Sequence, residues 1–226
     1  MFLNKEIKVF YVLNNKPLEP YLLAALMKHL PDTIQNKINR FSRWQDAQAC
    51  LIGNLLIKKK VLNQQNLTFN DLLTNCYGKP YIQKGFFFNL SHTDGMVLFG
   101  VADFEIGLDV ELVKPFDFLP VLEDFEDQLV VADIAAADEP LIEFYRHWTQ
   151  KEACLKQCGL GLSYPIRSFQ ISKQNTTEIA GRRLSLVKID VGNSDYVAHL
   201  AIPYMIEYAP SVKLYRENIL NYTPIP

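Results

Sequence analysis

Asp109 and Glu111 stand two residues apart in the stretch "EIGLDVELVKP" (105–115). Ile106, Leu108, Val110 and Leu112 alternate with them, so the stretch reads as a strand with one apolar face and one acidic face. Gly107, on the acidic face, carries no side chain to block access. Two carboxylates this close repel unless a proton or a cation relieves them. Both are hard oxygen donors, which suits a magnesium-like ion. The alternative that spacing leaves open is a solvated strand face with two ordinary surface acids.

A second polar group stands out of place in "EPLIEFYRHWTQKEACLKQCG" (139–159). Taking Leu141 as zero and advancing 100° per residue, Tyr145, Trp148 and Leu155 fall within about 40° of it and define a buried stripe. Glu152 falls at about +20°, inside that stripe, with Lys156 one turn further on at its edge. A buried carboxylate without compensation is costly, so something must meet Glu152. A plain helix pair with Lys156 is the simpler account; its place on the stripe favours a functional one. The third group is Ser91–His92 in "NLSHTDG", at the end of an apolar strand. Neighbours on a strand point to opposite faces, and no G-x-S-x-G elbow is present, so a hydrolase nucleophile is discounted. These residues suit donors to phosphate oxygens. Neither glycine-rich phosphate loop pattern occurs.

The elements that would position these groups follow from periodicity. "IKVFYVL" reads as a strand and "LEPYLLAALMKHLP" as a helix. A second helix runs through 32–62, with breaks expected near Ser42 and Gly53. "CYGKPYI" reads as a turn, and "FFFNLSH" and "MVLFGVA" as strands joined through "TDG". After Pro115 comes the long helix stopped by Gly159, then strands at "SFQIS", "RLSLVKID", "YVAHLAI" and "VKLYRE". Helices precede strands in each half, with mostly short hairpin links. The fold class expected is α+β with antiparallel sheets, not a doubly wound parallel sheet. The seam falls at the acidic strand, giving lobes 1–105 and 106–226.

The chain of 226 residues is 49% apolar and 21% charged, with a formal net charge of -2. That balance excludes a basic nucleic-acid binder. Lys58, Lys59 and Lys60 form the sole lysine block and read as a solvated helix end. Lys5, Glu6 and Lys8 interrupt the apolar pattern at the start, unlike a signal peptide, and no apolar run reaches membrane-spanning length. Four cysteines without zinc-finger spacing point to a reduced, cytoplasmic protein.

"IGLDVE" followed downstream by "WTQKEACLKQCGLGLS", with "YGKP" and "FNLSHTDG" upstream, resembles the signature set of the 4′-phosphopantetheinyl transferases, in the larger two-lobed form. The motifs span residues 77–163, and a weaker likeness reaches back to "RFSRWQDAQACLIGNLL". The resemblance implies two similar lobes related by a pseudo-twofold axis, each an antiparallel sheet packed with helices, with the active site in the cleft between them. It implies transfer of the phosphopantetheine arm of coenzyme A to a serine of an acyl, peptidyl or polyketide carrier protein, releasing adenosine 3′,5′-bisphosphate. Asp109, Glu111 and Glu152 match the acids that bind Mg2+ (or Mn2+), with Glu152 also the general base, and Lys156 matches a lysine on the pyrophosphate. Ser91 and His92 match coenzyme A contacts, and Lys79 a basic contact near the nucleotide end. Lys37, Arg40 and Arg43 fall in the segment expected to meet the 3′-phosphate. Trp148 and Lys151 match signature positions, Trp148 read as packing. The form resembled is monomeric. A coenzyme A-binding module without transfer and a metal-dependent phosphohydrolase are the alternative readings.

One stretch departs from the family pattern. Where relatives carry a basic-aromatic segment, this chain has "FDFLPVLEDFEDQLVVADIAAADEP" (116–140), which is strongly acidic and leads into the signature helix. Carrier domains are themselves usually acidic, so this run would repel them if exposed.

Overall fold

The computed structural model describes residues 6–83, 85–204 and 210–222. In chain order, β1 (Glu6–Asn14) is followed by α1 (Pro20–Met27), α2 (Asp32–Ile38) and α3 (Trp44–Ile57). Two-residue strands, β2 (Leu73–Thr74) and β3 (Pro80–Tyr81), flank a turn and lead to β4 (Phe87–Thr93) and β5 (Gly95–Ala102). Then come β6 (Gly107–Leu112), α4 (Leu119–Phe125), α5 (Gln128–Ala135), α6 (Pro140–Cys158), β7 (Thr176–Ile179), β8 (Arg182–Lys188), β9 (Tyr196–Pro203) and β10 (Ser211–Arg216). No helix among the described residues is long and apolar enough to cross a membrane.

The chain forms two compact units, and neither is a single stretch of sequence. The first takes the chain to Leu73, Pro80–Asp103 and everything from Pro210 onward; the second takes Thr74–Lys79 and the chain from Phe104. The lobes expected at 1–105 and 106–226 rest on one cut. The structure crosses at 103–104, assigns Thr74–Lys79 to the second unit, and returns the last strand to the first.

The sheet of the first unit has the order β10-β1-β5-β4. β1–β5 and β4–β5 are antiparallel, whereas β10 lies parallel to β1, pairing Ile7 with Val212 and Tyr11 with Arg216. Phe10 and Val12 stand opposite Phe99 and Val97 on one face. They join Leu26 of α1 with Leu51, Leu55 and Leu56 of α3 in one core. Each such side chain is worth about 1.5–3 kcal/mol when fully buried. The expected break near Ser42 is present, between α2 and α3. The one near Gly53 is not, because Gly53 lies inside α3. A Cβ there would come within 2.8 Å of a Leu90 methyl, so the glycine admits a side chain of β4 rather than ending the helix. The lysine triplet is not simply solvated either. Lys58 donates to the His29 carbonyl at 2.7 Å, Lys60 pairs with Glu217, and Lys59 lies over the Tyr222 ring.

The sheet of the second unit is antiparallel throughout, in the order β6-β9-β8-β7. α6 lies across it, and α4 and α5 pack on α6 through Leu122, Phe125, Ile134, Phe144 and Tyr145. The sheet holds one side of α6 and two helices hold another, so buried residues occur all round it: Tyr145, Gln150, Lys151, Ala153, Cys154 and Leu155. Of the stripe expected from Leu141, Tyr145, Trp148 and Leu155, Tyr145 and Leu155 are buried, while Leu141, Trp148 and the Glu152 that falls among them are half-buried. Two helices fill the acidic run that carried no assignment, α5 being capped by Asp127 Oδ1, which accepts from the Leu129 and Val130 amides. "SFQIS" is not a strand. Phe169 is buried against α6, and its carbonyl accepts from Lys151 rather than from a neighbouring strand.

Candidate active site

β6 and α6 bring the acids together within the second unit. Asp109 is 2% exposed and stands directly opposite His199 on β9. Its face of the sheet is the one that α6 covers. A Cβ on Gly107 would lie 2.0 Å from the Ala153 carbonyl oxygen and 2.2 Å from the Gln157 nitrogen. Gly107 is therefore needed for helix backbone to approach strand backbone, not for access from solvent as its place in the acidic alternation suggested.

Lys156 reaches from α6 to Asp109, with Nζ 2.6 Å from Oδ1. Burial pulls the Lys156 ammonium down, but Asp109, Glu152 and Glu111 outweigh it and hold its pKa above the ordinary lysine value. Glu152 Oε1 is buried and has no hydrogen-bond partner among the described residues. Burial pushes the Glu152 carboxyl up, Lys156 opposes this, and the charge of Asp109 adds to it. Glu111 is half-buried at the end of the same face. Among the described residues no three His, Cys, Asp or Glu side chains converge as a set that could hold an ion. What fits a cation is narrower: two mutually repelling carboxylates, hard oxygen donors, with the buried Oε1 of Glu152 accepting no hydrogen bond among the described residues.

The residues around this pair are ordered by their own bonds. Thr149 Oγ1 donates back to the Tyr145 carbonyl at 2.7 Å and lies 2.8 Å from His199 Nδ1. With the hydroxyl proton on the carbonyl, the His199 ring donates from Nδ1. Burial, with Arg146, Lys188 and His147 nearby, pushes the His199 pKa down to about 3, so the ring is neutral.

Lys151, a signature position, is fully buried. Its ammonium donates to the carbonyls of Phe125, Ile166 and Phe169 at 3.0–3.1 Å. Glu126 Oε2 lies 3.1 Å away and receives the charge without a hydrogen, since all three are already placed. His147 Nδ1 approaches the other oxygen of Glu126 at 3.3 Å. Glu126 belongs to the acidic run, and nothing in its local pattern separates it from the exposed acids Glu123, Asp124, Asp133, Asp138 and Glu139. Trp148 packs on the Phe125 ring at 5.3 Å, as its reading required.

Lys79 does not present an open ammonium. Nζ donates to the carbonyls of Lys156 (2.6 Å), Gln157 (3.2 Å) and Ile106 (3.3 Å). Asn75, four residues earlier, donates to the Gly159 carbonyl at 2.7 Å. The remaining candidates lie in the first unit. Ser91 is buried and His92 exposed on the edge strand β4, on opposite faces as neighbours must be. Arg43, just before α3, donates to Asp94 at 2.7 Å in the turn that follows His92. Lys37 and Arg40 are exposed at and just beyond the end of α2.

Comparison with known proteins adds to this geometry. Residues 105–201 match the family model of the 4′-phosphopantetheinyl transferase superfamily, and residues 16–102 that of the 4′-phosphopantetheinyl transferase N-terminal region. The chain is 30% identical over 171 residues to 4′-phosphopantetheinyl transferase Sfp of Bacillus subtilis (strain 168), covering 73% of this chain and 76% of that one. It is 28% identical over 177 residues to 4′-phosphopantetheinyl transferase gsp of Aneurinibacillus migulanus, covering 76% and 74%. With 4′-phosphopantetheinyl transferase pptA of Paxillus involutus it shares 34% over 179 residues, covering 66% of each.

Proposed function

The chain belongs to the 4′-phosphopantetheinyl transferase superfamily, and we propose that Asp109, Glu111, Glu152 and Lys156 carry its transfer chemistry. The enzyme moves the phosphopantetheine arm of coenzyme A to a carrier-protein serine. In that step the serine oxygen bonds to the pantetheine-side phosphorus, the bond to the adenosine bisphosphate oxygen breaks, and the serine proton must go to a base.

Glu152 is that base in this reading. The observation that carries it is the buried, unmet Oε1 on a carboxyl whose pKa burial raises, because a base serves best with its pKa moved towards working pH. Lys156, held charged by three acids, supplies positive charge against the pyrophosphate. Asp109 and Glu152 would hold a divalent cation, magnesium with manganese as its substitute, with Glu111 at the end of the same face as the third acid of the set; the cation would neutralise phosphate charge at the leaving group. Ser91, His92, Lys37, Arg40 and Arg43 are assigned to coenzyme A, the cations to its phosphates.

The carrier's chemistry follows from the acidic run. Glu123, Asp124, Asp133, Asp138 and Glu139 are exposed on or beside α4 and α5, and no basic residue occurs between Lys114 and Arg146. This surface favours carriers whose docking face is neutral or basic. Four free cysteines suit a reducing cytoplasm, and the monomer is proposed from the two-lobed form that the sequence resembles. Incubating the protein with coenzyme A, magnesium and a panel of acyl, peptidyl and polyketide carriers tests the reading by mass spectrometry. Addition of one phosphopantetheine is expected on at least one carrier. Coenzyme A binding by calorimetry with no addition to any carrier would overturn it.

A further inference from the structure

We propose that Lys79 is a positioning residue of the active site, pinning the end of α6 to the start of β6, and not a contact for coenzyme A; this rests on the transfer reading above. An ammonium has three hydrogens to give. Those of Lys79 are aimed at three backbone carbonyls, so none is left for a phosphate oxygen. The three acceptors are not arbitrary. Lys156 and Gln157 lie in the last turn of α6, whose final carbonyls have no partner within the helix. Ile106 immediately precedes β6. One charge thus joins the helix that carries Glu152 and Lys156 to the strand that carries Asp109.

The rest of the 74–79 segment is arranged around this task. Asn75 Oδ1 accepts from the Tyr77 and Lys79 amides, both at 2.9 Å, and its Nδ2 ties the turn to the Gly159 carbonyl. Gly159 closes the helix in the left-handed conformation, with the Leu160 amide on the Leu155 carbonyl and its own on that of Lys156. A cation at this end also opposes the negative pole of the helix. The contact between the two elements is tight at Gly107, where helix backbone leaves no room for a Cβ. A slip of α6 along β6 would move Glu152 and Lys156 together relative to Asp109. Thr74–Lys79 belongs to the second unit although its sequence neighbours on both sides belong to the first, as a clamp on α6 requires.

The test compares Lys79→Met and Lys79→Arg with the unaltered enzyme. Steady-state transfer is measured with coenzyme A and with its 3′-dephospho form. Hydrogen exchange of α6 is measured without coenzyme A or metal. For Lys79→Met, kcat is expected to fall about 10- to 100-fold, as misplacement of reacting groups does. KM for coenzyme A should stay within about twofold, since no binding contact is lost. The preference for coenzyme A over its dephospho form should not change. Amide protection should drop at Gly159 and Leu160 while β8 and β9 keep theirs, and Lys79→Arg should recover part of kcat. A tenfold rise in KM with kcat retained, or loss of the dephospho preference, would make Lys79 a nucleotide contact and overturn the proposal. Unchanged kcat, or unchanged exchange in the last turn, overturns it as well. Should Lys79→Met not fold, Asn75→Ala carries the same measurements through the second tether. If the unaltered enzyme modifies no carrier, the transfer reading fails, and the exchange experiment still decides whether the clamp exists.

Discussion

Glu126 and Glu152 are two acids of the second unit with oxygens out of contact with water, and they are treated in opposite ways. Glu126 faces the ammonium of Lys151 at 3.1 Å and the ring of His147 at 3.3 Å. Each acid has one buried oxygen without a hydrogen-bond partner among the described residues, but at Glu152 burial acts against the ionised form, Lys156 opposes this only in part, and the charge of Asp109 adds to it. The first arrangement joins α6 to the chain end of α4, which is architecture. The second leaves a partly buried charge short of compensation at the cost of stability, and such a deficit is tolerated where a substrate or an ion will fill it.

The largest test of the contrast is Glu152→Gln. It should lower transfer at least about 100-fold, the contribution of a well-placed base. The metal-free protein should nevertheless melt a few degrees higher at neutral pH, because the desolvation cost of the Glu152 charge is gone. A raised carboxyl pKa contributes stability at low pH that is lost as pH rises through it. The advantage of the variant should therefore fade on acidification through the upper carboxylate range. Calorimetry at several pH values checks this, and a variant that melts lower at neutral pH would refute the assignment.

Lys151→Met attacks the paired acid instead. Leaving Glu126 buried with the His147 ring but without the Lys151 charge should cost about 3–5 kcal/mol, or roughly 10 °C in melting temperature. Trp148 packs beside Phe125, so its near-ultraviolet circular dichroism should change as well. If melting moved by only a degree, the ion pair would not be what holds α4 to α6.

His199 offers a neutral point of comparison. Its depressed pKa means that the unfolded chain takes up a proton which the folded one refuses. Its contribution to stability is thus present above about pH 6.5 and lost progressively as pH falls towards about 3. Replacing it with Gln should flatten the acid limb of a urea-midpoint profile over that window. The smallest effect concerns the exposed acids. With an acidic carrier, KM should fall roughly threefold as salt rises from about 0.02 to 0.3 M, through screening of repulsion. With a neutral carrier it should not move.

What could be read from the chain divides along physical lines. The D-x-E strand, the long helix with its glycine stop and the hairpin at Asp94–Gly95 depend on local periodicity and turn chemistry, and they stand in the structure. Glu152 was singled out by a stripe of which Tyr145 and Leu155 are buried, while Leu141, Trp148 and Glu152 itself are half-buried. The inference to an uncompensated carboxylate survived because burial of one oxygen, not of the whole residue, is what matters. The partners of Lys79 and Lys151 were not legible, since backbone carbonyls carry no sequence identity. Gly107 and Gly53 were misjudged for the same reason: what each glycine admits comes from a distant element. "SFQIS" has strand propensity, but tertiary demand from Lys151 and the α6 core overrode it.

The parallel pairing of β10 with β1 has a consequence for synthesis. β1 leaves the ribosome before its neighbour β10, with the long stretch of the second unit translated between them. The second unit has its complete sheet once Pro203 has emerged, whereas the first still shows β1 with an unpaired edge. That edge is a template for the wrong partner until Arg216 is out. The unit begun first is therefore completed second, and removing β10 would expose that edge of β1.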